Sequence, residues 1–207
     1  MVNAILLIMI AYLIGSFSAA IVVCYGMNLP DPRTLGSGNP GATNVLRHGG
    51  KKAAFLTFLL DVAKGVVAVL LTKWLIYQQM IATSLAPVEL LAGVTFAVFL
   101  GHLYPIFFKF RGGKGVATFF GAITALVWQV GVTALATWLI IAVLLRYSSL
   151  AALSSAFLTP IYMVLFAQPT EYVILTILLS LLIFWRHRSN IRNLWSGTEG
   201  KIGSKST

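Results

Sequence analysis

Two short segments of the sequence place glycines beside hydroxyl, amide and basic side chains. The first runs Gly-Ser-Gly-Asn-Pro-Gly-Ala-Thr-Asn-Val-Leu-Arg over Gly36–Arg47. Glycine lets a backbone approach a ligand closely and turn its N–H groups toward an anion, and arginine offers a forked pair of donors to phosphate. The segment is a candidate phosphate-binding loop, although glycine and Asn-Pro are also typical of an ordinary turn. Its candidate ligands are Ser37, Gly38, Asn39, Gly41, Thr43, Asn44 and Arg47.

The second segment reads Gly-Gly-Lys-Gly-Val-Ala-Thr and stands directly before an apolar run. We therefore expect backbone amides and a lysine at a helix N-terminus, an arrangement that favours phosphate. A Walker A loop requires GxxxxGK[ST], and here Gly115 follows the lysine, so ATP hydrolysis is not expected. A flexible basic loop is the alternative interpretation. The candidate ligands are Gly112, Gly113, Lys114, Gly115 and Thr118.

An acid and a base, Asp61 and Lys64, lie three residues apart within an apolar run. Residues at this spacing share a helix face and can form an ion pair. An ionised side chain at mid-bilayer costs about 2.5–3.5 kcal/mol, so the pair should face the protein interior. We favour a structural role in orienting the helix over a catalytic one, and the pair could also support a site from behind.

Three further polar residues border apolar runs. Ser149 follows Arg-Tyr-Ser at 146–148 and is either a ligand or part of a helix N-cap. His187 and Asn190 follow the last apolar run, within Arg-His-Arg-Ser-Asn-Ile. A histidine beside lipid headgroups often has no function, but His187 emerges where the other candidate anion ligands are expected. His48 and His102 are weaker candidates.

These residues must be positioned by membrane helices. The chain has 207 residues, of which 58% are hydrophobic and only 10% are charged, and five acidic residues cannot furnish the surface of a soluble domain. We predict a single all-α integral membrane domain over residues 1–207, whose start is a retained span and not a signal peptide. The predicted spans are Val2–Cys24, Ala53–Leu75, Val88–Leu103, Val116–Trp128, Val130–Leu145, Leu150–Ala167 and Tyr172–Trp185. Only Gln129 divides the fourth from the fifth, and fusing spans gives five or six.

The basic residues predict the orientation. With the N-terminus outside and the C-terminus in the cytoplasm, the inner segments hold 13 of the 15 Lys and Arg residues. The inner segments are Tyr25–Lys52, Tyr104–Gly115, Arg146–Ser149 and the residues after Trp185. The same arrangement places every candidate phosphate ligand on the cytoplasmic side. A net charge of +10 also suits anionic substrates or lipids.

Missing motifs narrow the chemistry. The sequence has no cluster of His, Cys, Asp and Glu at metal-ligand spacing, no GxSxG elbow and no HxxxxD pair. A reaction with so few protein bases requires an activated substrate. Two other classes remain open: a transporter or scramblase, which predicts a polar path across the membrane, and a scaffold for lipid-synthesis enzymes, which predicts no dependence on Lys114.

Together the motifs resemble one family, the bacterial glycerol-3-phosphate acyltransferases called PlsY. The resemblance covers nearly the whole chain, and the order of seven motifs agrees. They are GSGNPGATNVLR (Gly36–Arg47), LDVAKG (Leu60–Gly65), GHLYP (Gly101–Pro105), FRGGKGVAT (Phe110–Thr118), YSSL (Tyr147–Leu150), RHRSNI (Arg186–Ile191) and GTEGKIG (Gly197–Gly203).

The resemblance implies a seven-helix protein of the bacterial inner membrane with its active site at the cytoplasmic face. It implies acyl transfer from acyl phosphate to the 1-hydroxyl of glycerol 3-phosphate, without metal, cofactor or nucleic acid. A soluble enzyme that makes acyl phosphate is an implied partner. Either His187 or the donor's own phosphate would accept the hydroxyl proton, and the absence of an obvious protein base favours the phosphate. The important positions implied are Ser37, Arg47, Lys114 with its glycines, Ser149, His187 and Asn190.

Overall fold

The regular elements are helical throughout the part of the chain that the computed structural model describes, residues 2–81 and 84–203. In chain order they are α1 (Val2–Gly15), α2 (Ala19–Gly26), α3 (Ala42–Tyr77), α4 (Pro87–Leu103), a 3-10 turn (Ile106–Phe108), α5 (Val116–Leu126), α6 (Trp128–Leu145), α7 (Ser148–Leu165), α8 (Thr170–Arg186) and α9 (Arg188–Trp195). The all-α prediction is therefore confirmed. Lys205, one of the predicted inner cations, lies outside the described residues.

Each predicted span coincides with a helix or a bent helix pair. Four helices, α3, α4, α6 and α7, are long and apolar enough to cross a membrane. Two bent pairs could each form one more span: α1 with α2, bent by 42°, and α8 with α9, bent by 62°. By length and composition the described residues thus contain four to six candidate spans, and α5 is a shorter apolar helix.

α3 begins earlier than the sequence predicted, because we expected a loop up to Lys52 and a span from Ala53. Its 36 residues extend for about 54 Å, which exceeds the roughly 30 Å of a hydrocarbon core. Gly50 breaks the helical geometry with φ 81° and ψ 176° and separates a short first segment from the apolar remainder. Thr43, Asn44 and Arg47 therefore lie on this helical segment and not in a loop.

The boundary after α5 also differs from the expectation. The break lies at Val127, whose φ of −141° and ψ of 98° are extended, and not at Gln129. The last carbonyl of α5, at Leu126, accepts a hydrogen bond of 2.8 Å from the Lys73 ammonium. Lys73 thus compensates a C-terminal carbonyl that α5 itself leaves unpaired.

The chain forms two compact units, the first ending at Leu126 and the second beginning at Val127. In the first unit, α1 packs on α4 and α3 packs on α5 at reciprocal glycines, Gly15 with Gly101 and Gly65 with Gly121. A Cβ added at Gly65 would lie 2.6 Å from the Thr118 carbonyl oxygen. Small residues of this kind let membrane helices approach closely.

In the second unit, α7 packs between α6 and α8 through hydrogen bonds from serines to backbone carbonyls. The Ser155 hydroxyl donates to the Ala134 carbonyl at 2.7 Å, and the Ser180 hydroxyl donates to the Ala156 carbonyl at 2.5 Å. Such bonds join helices where apolar burial alone gives little preference between helix and lipid contacts. α9 packs against the ends of α7 and α8.

Candidate functional site

In the first unit, Asn44 organises the first glycine loop, which we define as Gly36–Gly41. Its buried side-chain amide donates to the carbonyls of Pro32 and Leu35 at 2.8 and 3.0 Å. Its Oδ1 accepts from the Ser37 amide at 3.2 Å. One side chain on α3 thereby holds three backbone groups and fixes the course of the loop.

The loop also requires glycine at its start. Gly36 has φ +53°, a left-handed conformation that costs a residue with a Cβ roughly 1–2 kcal/mol. A Cβ at this position would lie 2.7 Å from Asn44 Oδ1 and would also collide with the His48 ring. Gly41 ends the loop as the N-cap of α3, without a side-chain cap, and its carbonyl accepts the Asn44 and Val45 amides.

The second glycine segment, Gly112–Gly115, leads into α5 as predicted. The Gly115 carbonyl accepts the Phe119 amide at 2.8 Å and so starts the helix. The Gly113 amide donates to the His102 carbonyl at 3.2 Å. A Cβ at Gly112 would lie 2.6 Å from the Leu103 carbonyl oxygen, so the segment follows the end of α4 more closely than any larger residue permits.

The two glycine segments meet. The Pro40 carbonyl oxygen lies 3.2 Å from the position that a Gly113 Cβ would occupy. Both segments precede a helix, and the N-cap of α3, Gly41, makes no side-chain cap hydrogen bond. A helix N-terminus carries a partial positive charge, so two such ends beside a lysine can hold anionic oxygens.

Around this meeting point the predicted ligands differ in exposure. Ser37, Thr43 and Arg47 are exposed, and Asn39 and Lys114 are partly buried, so all five can reach a ligand from solvent or headgroups.

Thr118 is different from these five residues, because it is fully buried. Its hydroxyl has no hydrogen-bond partner within residues 2–81 and 84–203.

The predicted ion pair between Asp61 and Lys64 is confirmed, with Oδ1 and Nζ 2.8 Å apart and both side chains buried. The structure adds a third member: the Nδ1 atom of His102, from α4, lies 3.3 Å from the same carboxylate oxygen. The Lys64 ammonium also donates to the Phe17 carbonyl at 2.8 Å, in the break between α1 and α2.

In the second unit, Glu199 joins two predicted ligands. Its Oε1 accepts the Ser149 hydroxyl at 2.6 Å and the Asn190 side-chain amide at 2.8 Å. α7 begins at Ser148 with Tyr147 as its N-cap, so neither serine is the N-cap that the sequence left open as an alternative to a ligand. The Ser149 hydroxyl turns instead toward the carboxylate, which binds it more strongly than a backbone amide would.

The C-terminal tail is fastened beside this carboxylate. The Ile202 amide donates to the Arg146 carbonyl at 2.6 Å, and the Arg146 guanidinium donates to the Ile202 carbonyl at 2.9 Å. The Lys201 ammonium lies 5.6 Å from the centre of the Tyr147 ring. Contacts two and three residues after Glu199 thus hold the tail against the connection between α6 and α7.

His187 is not the surface histidine that its position suggested, because only 3% of it is exposed. Its Nδ1 lies 2.8 Å from the Ile183 carbonyl oxygen. A carbonyl can only accept, so Nδ1 carries the proton of the neutral ring and Nε2 carries the lone pair.

Asp31 and Arg33 form a partly exposed ion pair beside the first glycine loop. The guanidinium Nε lies 3.1 Å from each carboxylate oxygen, and a terminal nitrogen lies 2.6 Å from Oδ2. These side-chain hydrogen bonds hold the pKa of Asp31 below its ordinary value and raise the pKa of Arg33.

Two residues of these networks were not selected from the sequence. Glu199 lay in a recognised tail motif and was the one acidic residue after Glu171, which could have marked it as a partner for polar groups. His102 was rated weak because no pattern in the sequence shows that α4 brings its ring to Asp61.

The whole chain is similar in sequence to known proteins. The sequence model of a family described as glycerol-3-phosphate acyltransferase matches residues 5–197. A glycerol-3-phosphate acyltransferase of Thioalkalivibrio sulfidiphilus is 54% identical over 199 residues, covering 96% of this chain and 94% of that protein. One of Methylococcus capsulatus is 48% identical over 200 residues, covering 97% and 96%.

Two solved structures are also similar to this chain. They are crystal structures of PlsY, an integral membrane glycerol 3-phosphate acyltransferase, each 36% identical and each matching 97% of this chain. The glycerol 3-phosphate form has a TM-score of 0.86 with 96% of its chain covered. The lysophosphatidic acid form has a TM-score of 0.84 with 95% covered.

Proposed function

Because the chain belongs to the PlsY family of glycerol-3-phosphate acyltransferases, we propose that it moves a fatty acyl group from acyl phosphate to the 1-hydroxyl of sn-glycerol 3-phosphate. The hydroxyl oxygen forms an ester bond with the acyl carbon, the bond from that carbon to the phosphate oxygen breaks, and the hydroxyl proton leaves on phosphate. The products are lysophosphatidic acid and inorganic phosphate. The enzyme thus serves an early step of phospholipid synthesis.

The contact between the two glycine segments carries this proposal. Each substrate has a phosphate, and the segments bring two helix starts and Lys114 to one place in the first unit. Ser37, Thr43 and Arg47 are exposed around them as additional donors. Oriented donors of this kind position two anions and neutralise the charge that develops during transfer.

Individual residues take different parts in this proposal. Asn44 shapes the first glycine loop, since its amide is engaged by loop backbone, while Ser37 and Arg47 contact the phosphates. Gly38, Asn39, Gly41 and Gly113 donate their own amides within the protein, so in this proposal they and the other glycines of Gly112–Gly115 let the backbone approach the phosphates closely, and Thr118 supports the start of α5. Ser149 and Asn190, oriented by Glu199, bind substrate oxygens. No metal or cofactor takes part.

Either the donor's phosphate or His187 receives the hydroxyl proton, and we favour the phosphate because acyl phosphate is already activated. In the neutral ring of His187, Nε2 is the basic nitrogen. We expect His187→Gln to lower the single-turnover rate only a few-fold, by about 2- to 5-fold, compared with the 10²–10⁴ that a general base contributes. A loss above about a hundredfold would make His187 the base.

We further propose about seven spans in a bacterial inner membrane, with the N-terminus outside and the glycine segments at the cytoplasmic face. The positive bias of the connecting segments supports this orientation. In a Cys24→Ala background, a cysteine at Thr198 should react with a membrane-impermeant maleimide only in inverted vesicles. Labelling in intact cells and not in inverted vesicles would reverse the orientation.

The donor is tested by giving purified protein palmitoyl phosphate or palmitoyl-CoA together with labelled glycerol 3-phosphate. We expect lysophosphatidic acid from palmitoyl phosphate and none from the thioester. Formation from the thioester alone would refute the acyl-phosphate donor, while leaving the acyltransferase class intact. Adding a soluble enzyme that makes acyl phosphate should then support continuous synthesis.

A further inference from the structure

Asp61, Lys64 and His102 form a buried group, and burying such polar side chains has a free-energy cost that helix packing alone does not require. These residues are 2%, 5% and 7% exposed, within helices of a membrane protein. Replacing a buried ion pair by apolar side chains of similar volume is often neutral or stabilising. Charged groups retained inside a membrane protein accordingly point to a role beyond holding α3 against α4.

His102 touches both this charged pair and the second glycine segment. Its Nδ1 lies 3.3 Å from Asp61 Oδ1, while its carbonyl accepts the Gly113 amide at 3.2 Å. On the far side of the ring, Nε2 is the atom nearest to where a Gly113 Cβ would lie. The backbone and the ring of one residue therefore both abut Gly113.

The network continues away from the site. The Lys64 ammonium links Asp61 to the Phe17 carbonyl, which belongs to the non-helical break between α1 and α2. Four segments of the first unit are thus tied in series: the α1–α2 break, α3, the end of α4 and the second glycine segment.

We propose that Asp61, Lys64 and His102 are positioning residues for acyl transfer, which hold the Gly112–Gly115 backbone in the orientation that the substrate phosphate requires. This rests on the proposed function of the glycine segments. None of the three touches substrate; they act through Gly113. A substrate-positioning group that is misplaced by about 1 Å can lower a rate on the order of a hundredfold, so a rigid support of this segment matters.

The first experiment compares two lysines of α3, Lys64, which is buried, and Lys73, which is partly buried. Lys64→Met removes the ammonium of the network, whereas Lys73→Met removes one that donates to Leu126, at the opposite end of α5. On monodisperse purified protein we expect Lys64→Met and His102→Gln to lower kcat/KM by at least about tenfold, with a higher KM for glycerol 3-phosphate. Lys73→Met should lower the thermal unfolding midpoint and keep kcat/KM within about twofold.

A double-mutant cycle tests the contact itself. Gly113→Ala adds a methyl group against the His102 ring, and His102→Ala removes that ring. We expect the double variant to be no less active than the poorer single variant, because both changes disturb the same contact. Losses that multiply would mean that the residues act independently, and the proposal would be overturned.

A second readout does not require turnover. Glycerol 3-phosphate should raise the unfolding midpoint of the wild type and of Lys73→Met, but much less that of His102→Gln and Lys64→Met. If the network variants keep wild-type kcat/KM and wild-type stabilisation, the positioning role fails while the proposed function stands. If the wild type binds glycerol 3-phosphate but forms no ester, the proposed function fails, and the stabilisation series still decides the positioning role.

Discussion

In the first unit, which ends at Leu126, the candidate ligands depend on a backbone course that only glycine allows. In the second unit, which begins at Val127, the carboxylate of Glu199 holds the candidate ligands together. Gly36, Gly112 and Gly113 each leave too little space for a Cβ, so the course of the backbone there depends on glycine. In the second unit, Ser149 and Asn190 are ordinary helix residues whose side chains turn to a single oxygen.

This difference determines which kind of substitution should impair each region. A site made from backbone is sensitive to one added carbon atom, because the neighbouring atoms include backbone carbonyls and the buried side chains of Asn44 and His102. A site made from side chains tolerates small changes of volume but is sensitive to loss of the charge that orients it. Substitutions that add a methyl group and substitutions that remove a charge should therefore separate the two regions.

The largest effect is expected from Gly36→Ala. The change removes no donor, yet it adds left-handed strain and a collision with His48 and Asn44 Oδ1. We expect kcat/KM to fall by about a hundredfold, because the loop must shift to accommodate the methyl group. Steady-state kinetics with both substrates would measure this loss.

Two matched glycines calibrate that result. Gly38 has φ +67° with its nearest neighbour at 3.4 Å, so Gly38→Ala adds strain without collision and should cost about tenfold. Gly26 has open space around it and no left-handed conformation, so Gly26→Ala should retain activity. If all three variants behave alike, close packing of the loop backbone does not matter.

A smaller loss is expected from Glu199→Gln. The amide still offers an oxygen to Ser149 and Asn190, but it has no negative charge, and hydrogen bonds to charged groups contribute about 1.5–3 kcal/mol against about 1 for neutral ones. We expect the unfolding midpoint to drop and kcat/KM to fall by about tenfold. Glu171→Gln, at an exposed acid in the first turn of α8, is the control and should change neither quantity. An unchanged Glu199→Gln would show that the carboxylate does not organise these residues.

The smallest effect is expected from Asp31→Asn. The pair with Arg33 is about one third exposed, and exposed pairs contribute at most about 1 kcal/mol. The pKa of Asp31 is lower in the folded protein than its ordinary value, so the stability it adds is complete above that ordinary value and is lost as pH falls through the lowered pKa. Thermal unfolding should separate wild type from variant slightly at pH 7 and not at all in acid below the lowered pKa. A large activity loss at pH 7 would instead place Arg33 or Asp31 on the substrate.

Periodicity and composition were sufficient for the fold class. Continuous apolar runs located the helices α1 to α8. They do so because lipid requires long apolar segments with internal backbone hydrogen bonding. Boundaries were less predictable. The break at Val127 depends on backbone conformation, and the helical segment after Gly41 looked like loop because three glycines and Asn39-Pro40 stand directly before it.

The candidate site was predictable only where its residues lie close together along the sequence. Two glycine clusters, one before Arg47 and one around Lys114, identified the two segments. The spacing of Asp61 and Lys64 identified an ion pair. Contacts between distant parts of the chain were not encoded in any spacing. His102 reaches Asp61 across 41 positions of sequence, and Ser149 reaches Glu199 across 50, so only the folded chain reveals them.

The most direct test is the yield of both products from purified protein given palmitoyl phosphate and labelled glycerol 3-phosphate. The proposed mechanism predicts lysophosphatidic acid and inorganic phosphate in equal amounts from the wild type, and a loss of both with Lys114→Met. Absence of lysophosphatidic acid from the wild type, or equal yields from Lys114→Met, would contradict it.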